Sequence, residues 1–221
     1  MKWYNMKLNP AKCAFGVSVD KILGFIVTQG IEANPYQIKA IMETSVPSCK
    51  NELQRLIGRL ATLGRFIAWF TNKLKLFFLT LKWTSTVGWT TNYELTFEKI
   101  KRYLTHPPIL ISPRPGEQLY MYLAVSDCVV NVVLFCCVDD KEQRFIYYVS
   151  KTMVEAETWY SKIEQTALAL RSVARNLRPC FQAHQVIILT NQLLRNILHK
   201  PDLSRRRLRW AIKLSEYGIK Y

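Results

Sequence analysis

A proline-rich stretch near the middle of the chain separates two halves whose apolar residues follow different periods. Residues 106–116 contain four prolines and end in Gly116. Because proline has no backbone N–H and fixes its own φ angle, this stretch is predicted to be extended and to link two compact units. Apolar residues recur every three or four positions before it, and β-branched and aromatic residues form short blocks after it. This contrast predicts an α+β fold.

Three helices are predicted between residues 32 and 82. Asn34 suits the N-cap of the first helix, and Pro35 suits its first position, where the missing N–H costs nothing. The second helix follows residues 47–48, and its apolar stripe consists of Leu53, Leu56, Ile57, Leu60 and Leu63. The third is predicted to run unbroken over residues 67–81. A fourth helix follows a threonine- and tryptophan-rich strand pair at residues 83–91, and its apolar positions are Tyr93, Phe97, Ile100 and Leu104.

Two short strands are predicted near the N-terminus. They cover residues 13–17 and 21–28 and form a hairpin closed by residues 29–30. Gly24 lies inside the second predicted strand, where a glycine weakens pairing and marks either a bulge or the close approach of another backbone. Both interpretations of Gly24 stay open at this point.

The second half follows a strand–strand–strand–helix–strand order. Residues 119–126, 129–138 and 144–150 are predicted to form three antiparallel strands. A helix from residue 160 is predicted to stop before Pro179, and residues 185–190 form a continuous apolar strand typical of a buried, parallel position. A further helix is predicted at residues 208–214.

The positive charge is shared by both halves of the chain. The net charge is +15, of which residues 1–117 carry +9, from 16 basic and seven acidic residues, and residues 118–221 carry +6, from 15 and nine. A field spread in this way suits a surface that binds a polyanion. A merely basic protein is an equal alternative on composition alone.

Cysteine, histidine and hydropathy patterns indicate the cellular compartment and argue against disulfide and zinc sites. The six cysteines include no C-x-x-C pair, so reduced thiols are predicted, and Cys136 and Cys137 should point to opposite faces of a strand. The three histidines stand far apart, which argues against a zinc site. The N-terminus lacks a signal-peptide core, and lysines interrupt the most apolar segment, so the prediction is an intracellular protein, cytoplasmic or nuclear, that does not enter a membrane.

Taken in order, the segments resemble the polyprotein of gypsy-type LTR retrotransposons. The resemblance is carried by residues 8–15, 22–31, 52–60, 119–126 and 187–191. It implies the end of a reverse transcriptase joined to its ribonuclease H. Residues 1–31 would be the last palm segment with a primer-grip-like hairpin, 32–82 a thumb-like helical bundle, 83–117 the connection and linker, and 118–221 a ribonuclease H-like domain with a mixed sheet, truncated at its C-terminus.

The resemblance also locates the positions where the family keeps its metal-binding carboxylates. Ribonuclease H uses two Mg²⁺ ions held by acidic side chains. The corresponding positions here are Ala124, Thr166 and Asn191, and the fourth belongs to a helix expected beyond the end of the sequence. Neither Asp127 nor Glu164 should substitute, because one lies on the opposite face of its strand and the other about 200° around its helix. With the polymerase Asp-Asp turn expected upstream, the chain is predicted to bind no metal cofactor and to be catalytically inactive by itself.

Nucleic-acid binding is the chemistry that the resemblance leaves in place. Leu23, Gly24 and Phe25 match a primer-gripping hairpin. On the second helix, Gln54, Gly58 and Thr62 match the face that follows the minor groove of the template–primer duplex, and the neighbouring Arg55 and Arg59 can meet phosphates. A helix packed on Gly58 is the alternative.

The predicted partner is an RNA/DNA hybrid or duplex, bound weakly and in a salt-dependent way. A second cationic cluster, at Arg205, Arg206, Arg207 and Arg209, is either a further contact or a solvated charge run. Two other interpretations of the whole chain compete with nucleic-acid binding. They are a non-functional pseudogene product and a domesticated interaction module.

Overall fold

The computed structural model of the chain describes residues 20–22, 25–28, 30–83, 91–138, 142–190, 210–212, 214–215 and 217–219. Its strands are β1 (Asp20–Ile22), β2 (Phe25–Val27), β3 (Ile31–Glu32), β4 (Leu119–Val125), β5 (Val129–Val138), β6 (Glu142–Thr152) and β7 (Val186–Leu189). Its helices are α1 (Pro35–Met42), α2 (Lys50–Thr62), α3 (Phe70–Lys73), α4 (Lys75–Trp83), α5 (Thr91–Thr105), α6 (Glu155–Thr158), α7 (Lys162–Asn176) and α8 (Arg178–Ala183).

Several predicted features lie outside the described residues. They are the strand at residues 13–17, the strand pair at residues 83–91 apart from its two end residues, and the site residues Leu23, Gly24 and Asn191. The cluster Arg205, Arg206, Arg207 and Arg209 lies outside as well. Of the helix predicted at residues 208–214, residues 210–212 and 214 are described, and all four are helical.

The N-terminal strands form a small antiparallel sheet in the order β1–β2–β3. Ile22 pairs with Phe25, so the chain reverses between these two residues, and the single strand predicted over residues 21–28 is wrong. A two-residue connection that contains a glycine is a signal for a tight hairpin. Gly24 was instead predicted to mark a bulge or a close approach within one strand.

The first two helices form as the sequence predicts. The Asn34 side chain caps α1, because its Oδ1 accepts a hydrogen bond from Tyr36 N at 3.0 Å, and Pro35 begins the helix. In α2 the predicted stripe is buried, with Leu53, Leu56, Ile57 and Leu60 facing the core. Burial of this stripe holds α2 against the other helices, and the opposite face of α2 is left exposed.

The third predicted helix is broken. A 3₁₀ turn at Gly64–Phe66 comes first, and Trp69 takes a φ of 61°, so a helix begins only at Phe70. A left-handed residue that is not glycine costs about 1–2 kcal/mol, and tertiary contacts must compensate. The Tyr103 hydroxyl supplies two, donating to Phe66 O at 3.1 Å and accepting from Ala68 N at 3.3 Å. Helical periodicity over residues 67–81 did not reveal these contacts.

The second half contains a four-stranded mixed sheet in the order β6–β5–β4–β7. β4, β5 and β6 pair antiparallel, and β7 pairs with β4 in parallel, as predicted. Residues of α7 join Leu119, Met121 and Leu123 of β4 in one core. α7 stops at Asn176, before Pro179 as predicted, and the separate short helix α8 then takes Pro179 into its first turn, where proline is tolerated.

The other face of the sheet packs on the helical half. Tyr148 of β6 is buried in the core of the helices, and Val133 and Phe145 pack against it. Polar groups join the same two layers, since Thr71 N donates to Ser150 Oγ at 2.9 Å and Asn131 Nδ2 donates to Asn72 Oδ1 at 3.0 Å. The sheet is therefore covered by α7 on one face and partly by the helical bundle on the other.

The proline-rich stretch contains no helix, ends in a turn where Glu117 N donates to Arg114 O at 3.1 Å, and bonds to both halves. Leu110 exchanges two backbone hydrogen bonds with Ile31 of β3, and Ile111 N donates to Phe145 O of β6 at 2.9 Å. Gly30 permits the close pairing, because a Cβ there would lie 2.7 Å from Leu110 O. We call residues 109–112 the strap.

Two further observations concern membrane spans and the state of the cysteine thiols. Among the described parts of the chain, no helix is long and apolar enough to cross a membrane. Cys136 is buried and Cys137 exposed, as strand alternation predicts, and the thiols of the described cysteines are free, namely Cys49, Cys128, Cys136, Cys137 and Cys180.

Candidate nucleic-acid interface

The exposed face of α2 is the first part of the candidate interface. Gln54, Gly58 and Thr62 are all exposed, and they lie on the side of the helix away from the buried leucines. A Cβ placed on Gly58 would meet no described atom within 4 Å. Among the described residues, therefore, no neighbouring helix is seated on Gly58. A bare helix surface remains, and a ligand backbone can approach it.

The two arginines of α2 have different surroundings. Arg59 Nη1 donates to Thr44 Oγ1 at 3.1 Å and to Ala40 O at 3.4 Å, so this side chain ties α2 to the end of α1. Arg55 is exposed and lines, with Arg59, a groove of about 450 Å³ that also contains Glu43 and Glu52. The carboxylates lower the positive potential of this groove. Arg55 is thus the freer of the two for a phosphate.

Phe25 is the one described residue of the predicted primer-grip trio. Its ring lies 5.7 Å from the Phe66 ring and packs against the core of the helices. The guanidinium carbon of Arg65 lies 4.3 Å from the centre of the Phe25 ring. Phe25 therefore joins the small N-terminal sheet to the 3₁₀ turn that follows α2.

Two of the predicted carboxylate positions, one on β4 and one on α7, lie within the described residues, and neither holds a carboxylate. Ala124 pairs with Asn131 of β5, and strand alternation turns its side chain away from the face that α7 covers. Thr166 is buried in α7, where its hydroxyl donates to Lys162 O at 2.7 Å. Within the described residues, then, a methyl group and an already bonded hydroxyl occupy two of the three positions.

The two nearby acids are engaged elsewhere. Asp127 Oδ1 accepts from Lys162 Nζ at 2.6 Å, and the hydrogen bond and charge of this ammonium lower the pKa of the Asp127 carboxyl. Glu164 accepts from Ser161 N at 3.2 Å and Ser161 Oγ at 2.8 Å, which caps the start of α7. Each carboxylate already has a partner at the surface.

The residues present do not fit Mg²⁺. Magnesium requires several oxygen ligands, usually with at least one carboxylate. In the part of the chain that the structure describes, no three side chains of His, Cys, Asp or Glu come together in a way that would hold a metal. The loss of the complete metal site, including the position of Asn191, stays a prediction.

Sequence reasoning missed one arginine beside the candidate interface and two contacts between distant parts of the chain. Arg65 is a lone arginine between Gly64 and Phe66, and no motif or periodicity marks it. The Asn72–Asn131 amide contact joins residues 59 positions apart and has no local signal. Gly30 could have been found, because a glycine can mark the close approach of another backbone, but this role was predicted for Gly24.

The class of the second half follows from its topology. A mixed sheet in β-β-β-α-β order with α7 on one face is the ribonuclease H-like arrangement. Residues 89–188 match the family described as the RNase H-like domain found in reverse transcriptase.

The whole chain is similar to retrotransposon polyproteins, which confirms the resemblance. It is 28% identical over 219 residues to the retrovirus-related Pol polyprotein from transposon 297 of Drosophila melanogaster, covering 98% of this chain and 20% of the relative. It is 24% identical over 225 residues to the transposon Tf2-3 polyprotein of Schizosaccharomyces pombe, covering 99% and 17%. The chain thus spans at most about a fifth of the length of these relatives.

Solved structures confirm the fold. The foamy viral protease–reverse transcriptase in complex with RNA/DNA hybrid superposes with a TM-score of 0.73 at 17% identity, covering 92% of this chain and 28% of that one. The same viral protein in complex with dsDNA gives 0.69 at 17% identity, covering 90% and 43%. At this identity the likeness establishes the fold alone.

Proposed function

We propose that this chain holds an RNA/DNA hybrid or duplex as part of a retrotransposon polyprotein, without cutting it. The observation that carries the proposal is the open face of α2, where Gly58 leaves bare backbone between exposed Gln54 and Thr62. Support also comes from two structural neighbours, since the foamy viral proteins are in complex with RNA/DNA hybrid and with dsDNA.

Charge supplies most of the affinity in this proposal. Both halves are basic, so binding neutralises phosphates and releases counterions. Each neutralised phosphate contributes about −0.9 to the slope of log affinity against log salt on duplex DNA. We therefore expect weak binding that falls steeply as salt rises. Affinity that is independent of salt would contradict the proposal.

The proposal that the chain does not cut the hybrid is supported by the residues near the end of β4. Ala124 and Thr166 supply no carboxylate, and the nearby acids Asp127 and Glu164 are bonded to Lys162 and Ser161. The purified chain, incubated with RNA/DNA hybrid and Mg²⁺ or Mn²⁺, should leave the RNA strand intact. Cleavage that a chelator abolishes would refute the inactive assignment.

The variant Gly58→Ala tests the α2 face directly. Since the added methyl meets open space, it should raise the free energy of unfolding by up to about 1 kcal/mol through helix propensity. The same methyl stands where a ligand backbone would approach, so duplex affinity should fall. Thermal melts and salt-matched duplex titrations measure the two effects.

Thr96→Ala on α5 is the matched control, because it raises helix propensity and removes only a hydroxyl bond to its own helix, at Asn92 O. It should stabilise the chain and leave duplex affinity unchanged. If Gly58→Ala also leaves affinity unchanged, the α2 face does not bind nucleic acid.

A further inference from the structure

A groove of about 580 Å³ lies between the end of α2 and the sheet. The helical half contributes Thr62, Arg65 and Phe70, and the second half contributes Tyr147 and Asn176. Its volume is within the range of about 300–1,000 Å³ typical of small-ligand sites. The groove begins at Thr62, the last residue of the exposed α2 face.

Arg65 is the only cation that lines this groove among the described residues, and no carboxylate lines it. Its guanidinium carbon lies 4.3 Å from the centre of the Phe25 ring and 5.7 Å from that of Tyr147. None of the ion pairs found among the described residues includes Arg65. Two rings thus fix the position of a guanidinium group whose N–H donors have no acidic partner.

The charges of the lining suit an anion. Tyr148, also in the lining, is uncharged at neutral pH, and burial raises the pKa of its phenol further. Gln37 Oε1, which belongs to a lining residue, is a buried acceptor without a hydrogen-bond partner within the described parts of the chain, so it adds no contact for a phosphate. The described lining thus carries one positive charge and no negative charge.

We propose that Arg65 binds a backbone phosphate of the nucleic acid where the strand leaves the exposed face of α2. The planar guanidinium group can donate two parallel hydrogen bonds to a phosphate, and stacking on an aromatic ring orients it at little further cost in entropy. Thr62 links the two sites, because it belongs to the α2 face and also lines the groove. This inference rests on the proposed function.

The test compares Arg65→Met with Arg171→Met in the full chain. Arg171 of α7 is a matched control, because it is also half-buried, lies 5.9 Å from the Trp210 ring centre and has no ion pair among the described residues. Each variant removes one charge, together with two cation–π contacts at Arg65 and one at Arg171. Fluorescence titrations with one duplex over a salt series give the affinity and the salt slope, corrected for the folded fraction.

We expect Arg65→Met to weaken duplex binding about tenfold, as for loss of a hydrogen bond to a charged group. The salt slope should decrease by about 0.9, the share of one phosphate. Arg171→Met should leave both nearly unchanged. Arg65→Lys keeps the charge but cannot donate two parallel hydrogen bonds, so the affinity should fall while the slope stays the same. This variant preserves the test if the methionine variant does not fold, and unchanged affinity in it would then contradict the inference.

Three results would overturn the inference. If both methionine variants weaken duplex binding equally, the duplex is attracted by the overall positive charge of the chain and not by a contact at Arg65. A destabilised Arg65→Met whose folded fraction binds normally would mean a structural cation–π contact only. Inorganic phosphate could stabilise the unmodified chain against heat but not Arg65→Met. If duplex binding is unchanged in that variant, Arg65 belongs to a site for small anions only. Failure of the unmodified chain to bind any duplex would instead overturn the proposed function itself.

Discussion

The exposed face of α2 and the carboxyl end of β4 differ in what their exposed groups contact. On α2, Gly58 exposes a helix surface that no other described part of the chain covers. At the end of β4, the Asp127 carboxylate is paired with Lys162. An uncovered helix surface leaves room for a ligand, whereas a carboxylate paired with a lysine contributes to the fold. The first region is therefore where we place function, and the second is where we expect mutations to change stability.

The largest expected effect separates the two sides of α2. Leu60 is fully buried on the side opposite Gly58, so Leu60→Ala should cost about 2–5 kcal/mol of unfolding free energy through lost contacts and a cavity. Urea titration followed by circular dichroism measures the loss. Ala61→Ser, at the exposed neighbouring position, should change stability by less than about 0.5 kcal/mol. Equal effects at the two positions would contradict the assigned orientation of α2.

An intermediate effect tests the contact between the sheet and the helical half. Asn131 is buried, donates to Asn72 Oδ1 and accepts from Ser150 Oγ at 2.7 Å. Asn131→Ala should cost about 1–3 kcal/mol, because Ser150 then loses its acceptor inside the protein. Chemical denaturation measures this cost, and duplex affinity of the folded protein should not change. A loss of affinity without a loss of stability would move function to this region.

The smallest effect concerns the ion pair of Asp127 and Lys162. Because the ammonium lowers the pKa of Asp127 from its ordinary value of 3.8, the pair stabilises the fold above that value. Its contribution should disappear as pH falls through the lowered pKa. Both side chains are largely exposed, so melting temperatures of the unmodified chain and Lys162→Gln should differ slightly at neutral pH and converge in acid. A difference that grows below pH 3.8 would show that the pair does not hold in solution.

Periodicity predicted the parts of the fold that are built from local patterns. The leucine stripe of α2 and the four strands of the second half alternate or repeat strongly enough for sequence alone to locate them. Periodicity did not predict the break at Trp69, because tertiary contacts there override helix propensity. It did not predict the hairpin between Ile22 and Phe25 either, because that hairpin depends on turn chemistry.

The candidate site was less predictable than the fold. Gly58 was identified because glycine in a helix costs stability and so requires a reason. Arg59 was assigned to phosphates, although it bonds the end of α1, since charge alone does not reveal an internal partner. Arg65 has no sequence pattern, because its significance comes from Phe25 and Tyr147, which lie 40 and 82 residues from it in sequence and meet it only in the fold.

We expect the strap to couple the two halves into one cooperative unit. Its neighbouring residues 110 and 111 bond to β3 and to β6, so opening of either half breaks hydrogen bonds to a segment that also bonds the other half. Calorimetry should therefore record one melting transition for both cores rather than two. A single proteolytic cut in residues 109–112 would uncouple them and leave the β6 edge without the bond from Ile111, which exposes a strand edge to pairing between molecules.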